Sequence, residues 1–415
     1  MYLPNVESFD VDGIHVLLRS SKTPVISVDL FIRGANNTAA NASELAQEYF
    51  VLKTMIKGGT THLSTKEYRR AILKLYSQLD LEWNRDFGGV TMKCVPETWD
   101  SSWSLFTDLI QYPAFDSSVF INEVQTWEVE MAKIRSSPSS YLRYLADSIY
   151  LHGHSYGFTV ESGMRDLTVD DLPLAHNSMF VKRRLLLVVV GDISRASLEA
   201  KIHRSLGQLP EGEFSEPPIP APARATKNIT SLLPFTHSIP TSYVVGYFPV
   251  PNRKSSDRYS WDWFSYYFPL SLRRYLRAAK PLYGPSVITV NDAFSYGIIF
   301  FATDDPKKGI ELANEGVMHA MGDRWFDRAS LAIEAQRRTF YQFDNLQSSE
   351  SQAHALGVAE LLARSWRDAY PSQSEMLVGS ETSLAIQRAG ALALSHINWF
   401  VLADTSRIAH LGFER

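Results

Sequence analysis

A single cysteine, Cys94, stands among 415 residues, which excludes an internal disulfide framework and any cysteine-built zinc cluster. Charge of one sign is also lacking: 41 Lys and Arg against 45 Asp and Glu leave a net charge of −4. Nucleic-acid binders rely on a basic field, so no nucleic-acid partner is expected. No apolar run approaches the roughly 18–20 residues of a membrane helix. The most apolar stretch, Leu185 to Val190, is six residues long and ends in Gly191-Asp192, so it reads as a buried strand. The opening residues, MYLPNVESFD, show neither the basic region nor the apolar core of a signal peptide. Gly-rich phosphate loops, a G-x-S-x-G elbow and kinase signatures are missing too. The three Asn-x-Ser/Thr triplets, at Asn36, Asn41 and Asn228, are of a kind common by chance and carry no weight.

What is present is material for large cores, since 45% of the residues are hydrophobic and 12% aromatic. At roughly 100–200 residues per domain, the length fits two or three domains. The chain divides near its middle. Leu209 to Ser231 reads LPEGEFSEPPIPAPARATKNITS, with prolines at 210, 217, 218, 220 and 222. Proline fixes φ and removes donors, so the segment reads as a semi-extended linker. Expected domains are therefore 1–208 and 232–415, joined by 209–231.

The two halves are alike. Val188 to Arg195 reads VVVGDISR and Phe400 to Arg407 reads FVLADTSR, identical at four of eight positions and offset by 212 residues. In each, an apolar strand ends at a small residue and Asp, then Ser-Arg opens a candidate helix. Pro24 to Arg33 (PVISVDLFIR) and Thr241 to Pro249 (TSYVVGYFP) are strand-like, each followed by a polar loop and a helical stretch. An internal duplication is the expected reading.

Each half reads as α+β, a mostly antiparallel sheet with long helices packed on it. In the first half the periodicities predict helices over 43–56, 65–78, 101–110, 117–136, 140–152 and 192–206. They predict strands over 14–19, 26–33, 80–85, 89–95 and 185–190, and in the second half near 286–290 and 296–302.

This pattern resembles the pitrilysin/insulinase-type (inverzincin) zinc peptidases, which include the mitochondrial processing peptidase subunits and bacterial two-subunit relatives. The resemblance covers essentially the whole chain. GIHVLL from Gly13 is similar to the family's opening strand, and Gly58-Gly59-Thr60 to the "GT" after its first helix. HGHSYG from His152 to Gly157, with Gly163 beyond, looks like a family loop, and the strand–Gly–Asp unit at 186–192 closes the first domain as the family's does.

The family's catalytic signature is H-x-x-E-H on the first helix, with a distal Glu about 76 residues on. Two His one turn apart bind zinc, and the Glu between them activates the metal-bound water. Counting back from Gly59-Thr60, the motif falls on Phe50-Val51-Leu52-Lys53-Thr54. Phe50 has no lone pair to donate, Lys53 in the base position is cationic, and Thr54 is a poor ligand. Glu130 lies 76 residues after Thr54, where the distal ligand would be, and Glu123 fits a second acidic position; a solvated helix face is the alternative reading for both. None of the eleven His forms H-x-x-x-H, and the close pair His152 and His154 reads as a loop. Cys94, in the strand-like VTMKCV, reads as a core or edge residue. No metal is therefore expected in this chain.

The second half carries another family feature. Leu272 to Val287, LRRYLRAAKPLYGPSV, resembles the segment whose Arg and Tyr contact substrate beside the zinc site; Arg277 and Tyr283 take those places. The spacing, six positions, is shorter than the family's, and Ala278 and Pro281 stand where Glu and Gly are usual. Arg273 and Arg274, one turn earlier, are substitutes. An amphipathic helix with a basic face is the plain alternative. WDWFSYYF at 261–268 is either a peptide-binding patch or a helix packed on a sheet, and 332–343 reads as a solvated helix.

The resemblance implies a non-catalytic, substrate-binding subunit of a heterodimeric zinc peptidase. An H-x-x-E-H-bearing partner would supply the zinc, and peptides would enter an enclosed chamber. The alternative is a structural homologue without a substrate cleft. The compartment stays open between bacterial cytoplasm and periplasm.

Overall fold

Strands with apolar residues at every second position, and one apolar throughout, build the N-terminal sheet. The computed structural model of the chain describes residues 5–218, 231–233, 239, 241–277, 283–320, 333, 336–337, 340, 344–370, 386–391 and 394–404. The sheet comprises β1 (Val6–Val11), β2 (Ile14–Ser20), β3 (Ile26–Arg33), β4 (Gln78–Trp83), β5 (Phe87–Cys94) and β6 (Leu185–Gly191), in the order β1-β2-β6-β3-β5-β4. β2 and β6 run parallel, while every other neighbouring pair is antiparallel. β6 lies between β2 and β3 and is buried along its whole length, which is why it shows no alternation.

Helices of this half are α1 (Ala42–Gly58), α2 (Thr65–Lys74), α3 (Trp99–Gln111), α4 (Ser117–Ser136), α5 (Pro138–Tyr150), the single turn α6 (Val160–Gly163), α7 (Leu172–Met179) and α8 (Arg195–Arg204). Ile26, Val28, Leu30 and Ile32 of β3 share one core with Phe50 and Met55 of α1 and Trp103 and Phe106 of α3. α2 and α8 are shorter than periodicity suggests, for local reasons. α2 stops at Lys74 because Tyr76 adopts φ +52, and the Ser77 N–H then turns back to the Ile72 carbonyl at 3.2 Å. α8 begins at Arg195 because the Ser194 side chain accepts the Ser197 N–H and so caps it.

The second sheet comprises β7 (Ser231–Leu233), β8 (Ser242–Pro249), β9 (Tyr283–Val290), β10 (Tyr296–Thr303) and β11 (Asn398–Leu402), in the order β7-β11-β8-β10-β9. Its helices are α9 (Arg258–Leu276), α10 (Pro306–Ala320) and α11 (Ser349–Leu362). Again one pair is parallel, β7 with β11, and the rest are antiparallel. The two orders superpose: β6 and β11 hold the same place, as do β3 and β8. The sequence repeat thus falls on equivalent strands of two sheets with one topology. Residues 405–415, where the second Ser-Arg lies, are outside the described residues.

The chain forms two compact units, and neither is contiguous in sequence. One comprises Met1–Glu128, His154–Pro218 and Tyr341–Tyr370; the other comprises Val129–Gly153, Ile219–Phe340 and Pro371–Arg415. Each half lends a helix to the other's sheet. α5 packs on β8 and β11, while α11 packs on β3 and β6. Beneath α5, Tyr247 donates to Asp147 Oδ1 at 2.7 Å and Tyr150 tilts against Tyr247 with centroids 5.0 Å apart. Beneath α11, Gly357 sits so close to Phe31 that any Cβ would collide with the ring. Each unit therefore draws on both sides of the stretch 209–231.

Candidate functional site

α1 is set by its ends. Asn41 caps it by accepting the Glu44 N–H at 3.0 Å, and Glu44 in turn accepts the Ala40 N–H at 2.7 Å. The other end closes at Gly59, followed by Thr60. The "GT" pair thus marks a real helix terminus. The turn α6, which ends at Gly163, packs on the start of α1; a Cβ at Gly163 would strike the Ala42 carbonyl, so only glycine fits.

Phe50, Lys53 and Thr54 all lie on α1, as counting back from Gly59 requires. Phe50 is fully buried, edge-on to Phe120 of α4 with centroids 5.8 Å apart. Thr54 is fully buried as well. Lys53 is half-buried, its Nζ 5.4 Å from the centre of the Tyr49 ring. These three positions of α1 are apolar packing plus one cation. Glu123 on α4 is buried and pairs with Lys57 Nζ at 2.6 Å, so it is structural rather than a solvated face. Glu130, two turns further along α4, is exposed. Among the described residues no group of three or more His, Cys, Asp or Glu is arranged to hold a metal ion. Phe50→His is expected to lower stability by about 2–4 kcal/mol, since it opens a gap in the core and buries a polar ring there; chemical denaturation measures it.

The remaining predicted positions resolve as follows. His152 and His154 lie in the turn after α5; Tyr156 beyond them donates to Asp86, and Asn36 Nδ2 donates to the Phe158 carbonyl at 2.9 Å. Cys94 is buried in β5, and burial pushes its thiol up to about 11, which removes it as a nucleophile. Trp261, Trp263, Phe264 and Phe268 are all buried in the second core, so WDWFSYYF is a packing face of α9. Most of 332–343 lies outside the described residues.

Arg273 and Arg274 occupy the last turn of α9 and Arg277 follows it; all three are exposed. Cations at a helix C-terminus meet the negative end of the helix dipole. Tyr283 is the first residue of β9. Arg277 and Tyr283 thus flank one connection, whose residues 278–282 lie outside the described residues. Trp261 of α9 donates from Nε1 to Thr289 Oγ1 at 3.3 Å, which fixes the helix against β9.

Sequence reasoning missed one strong interaction. Arg184 and Glu48 of α1 form a buried ion pair at 2.9 Å, and Arg184 also donates to the Arg33 and Ser178 carbonyls. Nothing local signals a pair separated by 136 residues.

Comparison with known proteins agrees with this geometry. Residues 166–320 match the family model of the peptidase M16 inactive domain. No curated protein matches the sequence. Among solved structures the fold is similar to the periplasmic protease PqqL from Escherichia coli, with a TM-score of 0.82 and 14% identity over 97% of this chain and 46% of that one. It is similar to a peptidase M16 inactive domain from Pseudomonas fluorescens, with a TM-score of 0.83 and 13% identity over 97% and 98% of the two chains. A protease from Helicobacter pylori gives 0.77 and 17%, over 97% and 100%. The chain spans about half the length of the Escherichia coli protease. Identities this low carry the fold and not the activity. Residues 166–320 are thus similar to the peptidase M16 inactive domain, the chain as a whole has the fold of the M16 structures it matches, and its sequence contains no H-x-x-E-H.

Proposed function

We propose that the chain is the non-catalytic, substrate-binding subunit of a heterodimeric zinc peptidase. The observation that supports this is α1: at the positions that counting back from Gly59 assigns to the zinc motif stand the buried Phe50 and Thr54 and the half-buried Lys53. Lys53 is cationic, and Phe50 and Thr54 do not supply the pair of imidazoles that holds zinc, so these residues are not suited to activating water. Zinc and the base would come from a partner chain bearing H-x-x-E-H. The Escherichia coli protease, about twice this length, supports a requirement for two such halves. Arg277, Tyr283, Arg273 and Arg274 would serve the partner's site, donating hydrogen bonds to a peptide carbonyl whose negative charge grows in the transition state. The two subunits would enclose a chamber for unfolded peptides.

The test is reconstitution. The pure chain is expected to hold no stoichiometric zinc and to cleave no peptide, and to gain chelator-sensitive peptidase activity on mixing with an H-x-x-E-H partner. Chelator-sensitive cleavage by the chain alone would sink the reading. In the mixed assembly, Arg277→Ala with Tyr283→Phe is expected to lower kcat about 10²-fold with assembly intact. Unchanged turnover would favour a scaffold without a substrate role.

A further inference from the structure

α11 is the helix that the second half lends to the N-terminal sheet, and its polar attachments there are unusual in kind. At its start, Ser349 meets Ser27 of β3 at 2.8 Å and Glu350 accepts from Lys93 of β5 at 2.8 Å. Midway, His354 Nδ1 lies 3.1 Å from Glu82 of β4. Near its end, Glu360 lies 3.3 Å from His15 Nε2 of β2, and His15 Nδ1 lies 3.0 Å from Asp10 of β1. The same Glu360 accepts the Trp366 N–H at 2.7 Å and so ties down the turn that follows. Two of the four attachments run through histidine.

Beneath the helix lies Asp29, in the middle of β3 and only 3% exposed. Its strand neighbours are Thr91 and Val188. The charged groups that face it are His354 and Glu350 from α11, Glu82 from β4 and Lys93 from β5. An ionised Asp29 there would lose its water and meet two other carboxylates.

We propose that α11 is a pH-responsive strap, held on the N-terminal sheet in mildly acidic solution and loosened as the solution turns alkaline. The two best-placed groups act in the same direction. Burial pushes Asp29 up to about 7 from 3.8, against the opposing pull of His354 and Lys93. A raised folded value means its contribution is whole below 3.8 and is lost as pH rises to about 7. His15 is raised by its hydrogen bond to Glu360, with burial opposing and Asp10 assisting. Its contribution is present below 6.5 and lost as pH climbs through the raised value. Glu360 is lowered mainly by the same bond, so the pair is complete once pH passes 4.5 and fails on the alkaline side.

Hydrogen exchange of the full chain tests this, with α3 as an internal reference. After correction for intrinsic rates, protection of 349–362 is expected to fall at least about tenfold more than that of 99–111 between pH ~5.5 and ~8.5. Asp29→Asn, which cannot ionise, is expected to remove most of the fall by raising protection at the alkaline end. His15→Gln is expected to lower protection at the acidic end. Parallel loss in α11 and α3, or an undiminished fall in Asp29→Asn, would overturn the strap.

Discussion

A fragment ending at Pro218 is expected to lose cooperative folding, although it contains every strand of the N-terminal sheet. The reason lies in which helix covers which face. The even-numbered residues of β3 face the core made by α1 and α3, and the odd-numbered ones, Ser27, Asp29 and Phe31, face α11. Phe31 is 1% exposed, and Leu356 and Ala353 of α11 are fully buried. Each large side chain returned to water costs about 1.5–3 kcal/mol. The loss of one covering helix therefore amounts to on the order of 5 kcal/mol, comparable with the 5–15 kcal/mol that holds a typical domain together. Circular dichroism and calorimetry of the fragment are expected to show secondary structure with no sharp unfolding transition. Supplying 219–415 in trans is expected to restore the transition. A fragment that melts as sharply as the whole chain, within a few degrees of its Tm, contradicts this account.

Most of the sheet framework was legible because strands carry their signal locally. PVISVDLFIR and LLLVVV became β3 and β6, and the repeat between VVVGDISR and FVLADTSR landed on equivalent strands. The missed β1 had a signal as well. Asp12-Gly13 joins it to β2 with φ of +50 and +87, values an Asp-Gly pair in a two-residue hairpin favours. Phe9 and Val11 alternate with polar residues before that pair. The exchange of α5 and α11 was not legible. A helix's apolar face says that it packs, and not on which sheet, so a cut at the proline-rich stretch looked sufficient. At the candidate site, counting back from Gly59 placed Phe50, Lys53 and Thr54 on one helix, and all three lie on α1. It did not reach Glu123 with Lys57, or Glu48 with Arg184, since those pairs form between elements distant in sequence.

Arg184→Met is expected to cost about 3–5 kcal/mol, the scale for leaving one member of a buried ion pair alone. Arg184 and Glu48 have side chains only 8% and 3% exposed. Burial raises Glu48 above its ordinary value even with the guanidinium 2.9 Å away. A perturbed buried carboxylate on α1 invites a catalytic reading. The contacts argue against it. Arg184 donates from Nε to the Arg33 carbonyl at 2.8 Å and from its Nη1 to the Ser178 carbonyl at 3.2 Å, so it joins the end of β3 to α7 while it holds α1. Removing the guanidinium strips the carboxylate of its counter-ion and takes a donor from both carbonyls together. Removing both charges leaves no orphaned ion, so Arg184→Met combined with Glu48→Leu is expected to recover more than half of the loss. Urea midpoints of the two single variants and the double variant measure this. A single variant losing less than about 1 kcal/mol would show the pair to be dispensable. If instead the expected pattern holds, Glu48 is the anchor that sets α1 against the sheet, and the packed positions Phe50 and Thr54, two and six residues on, are held by the same device.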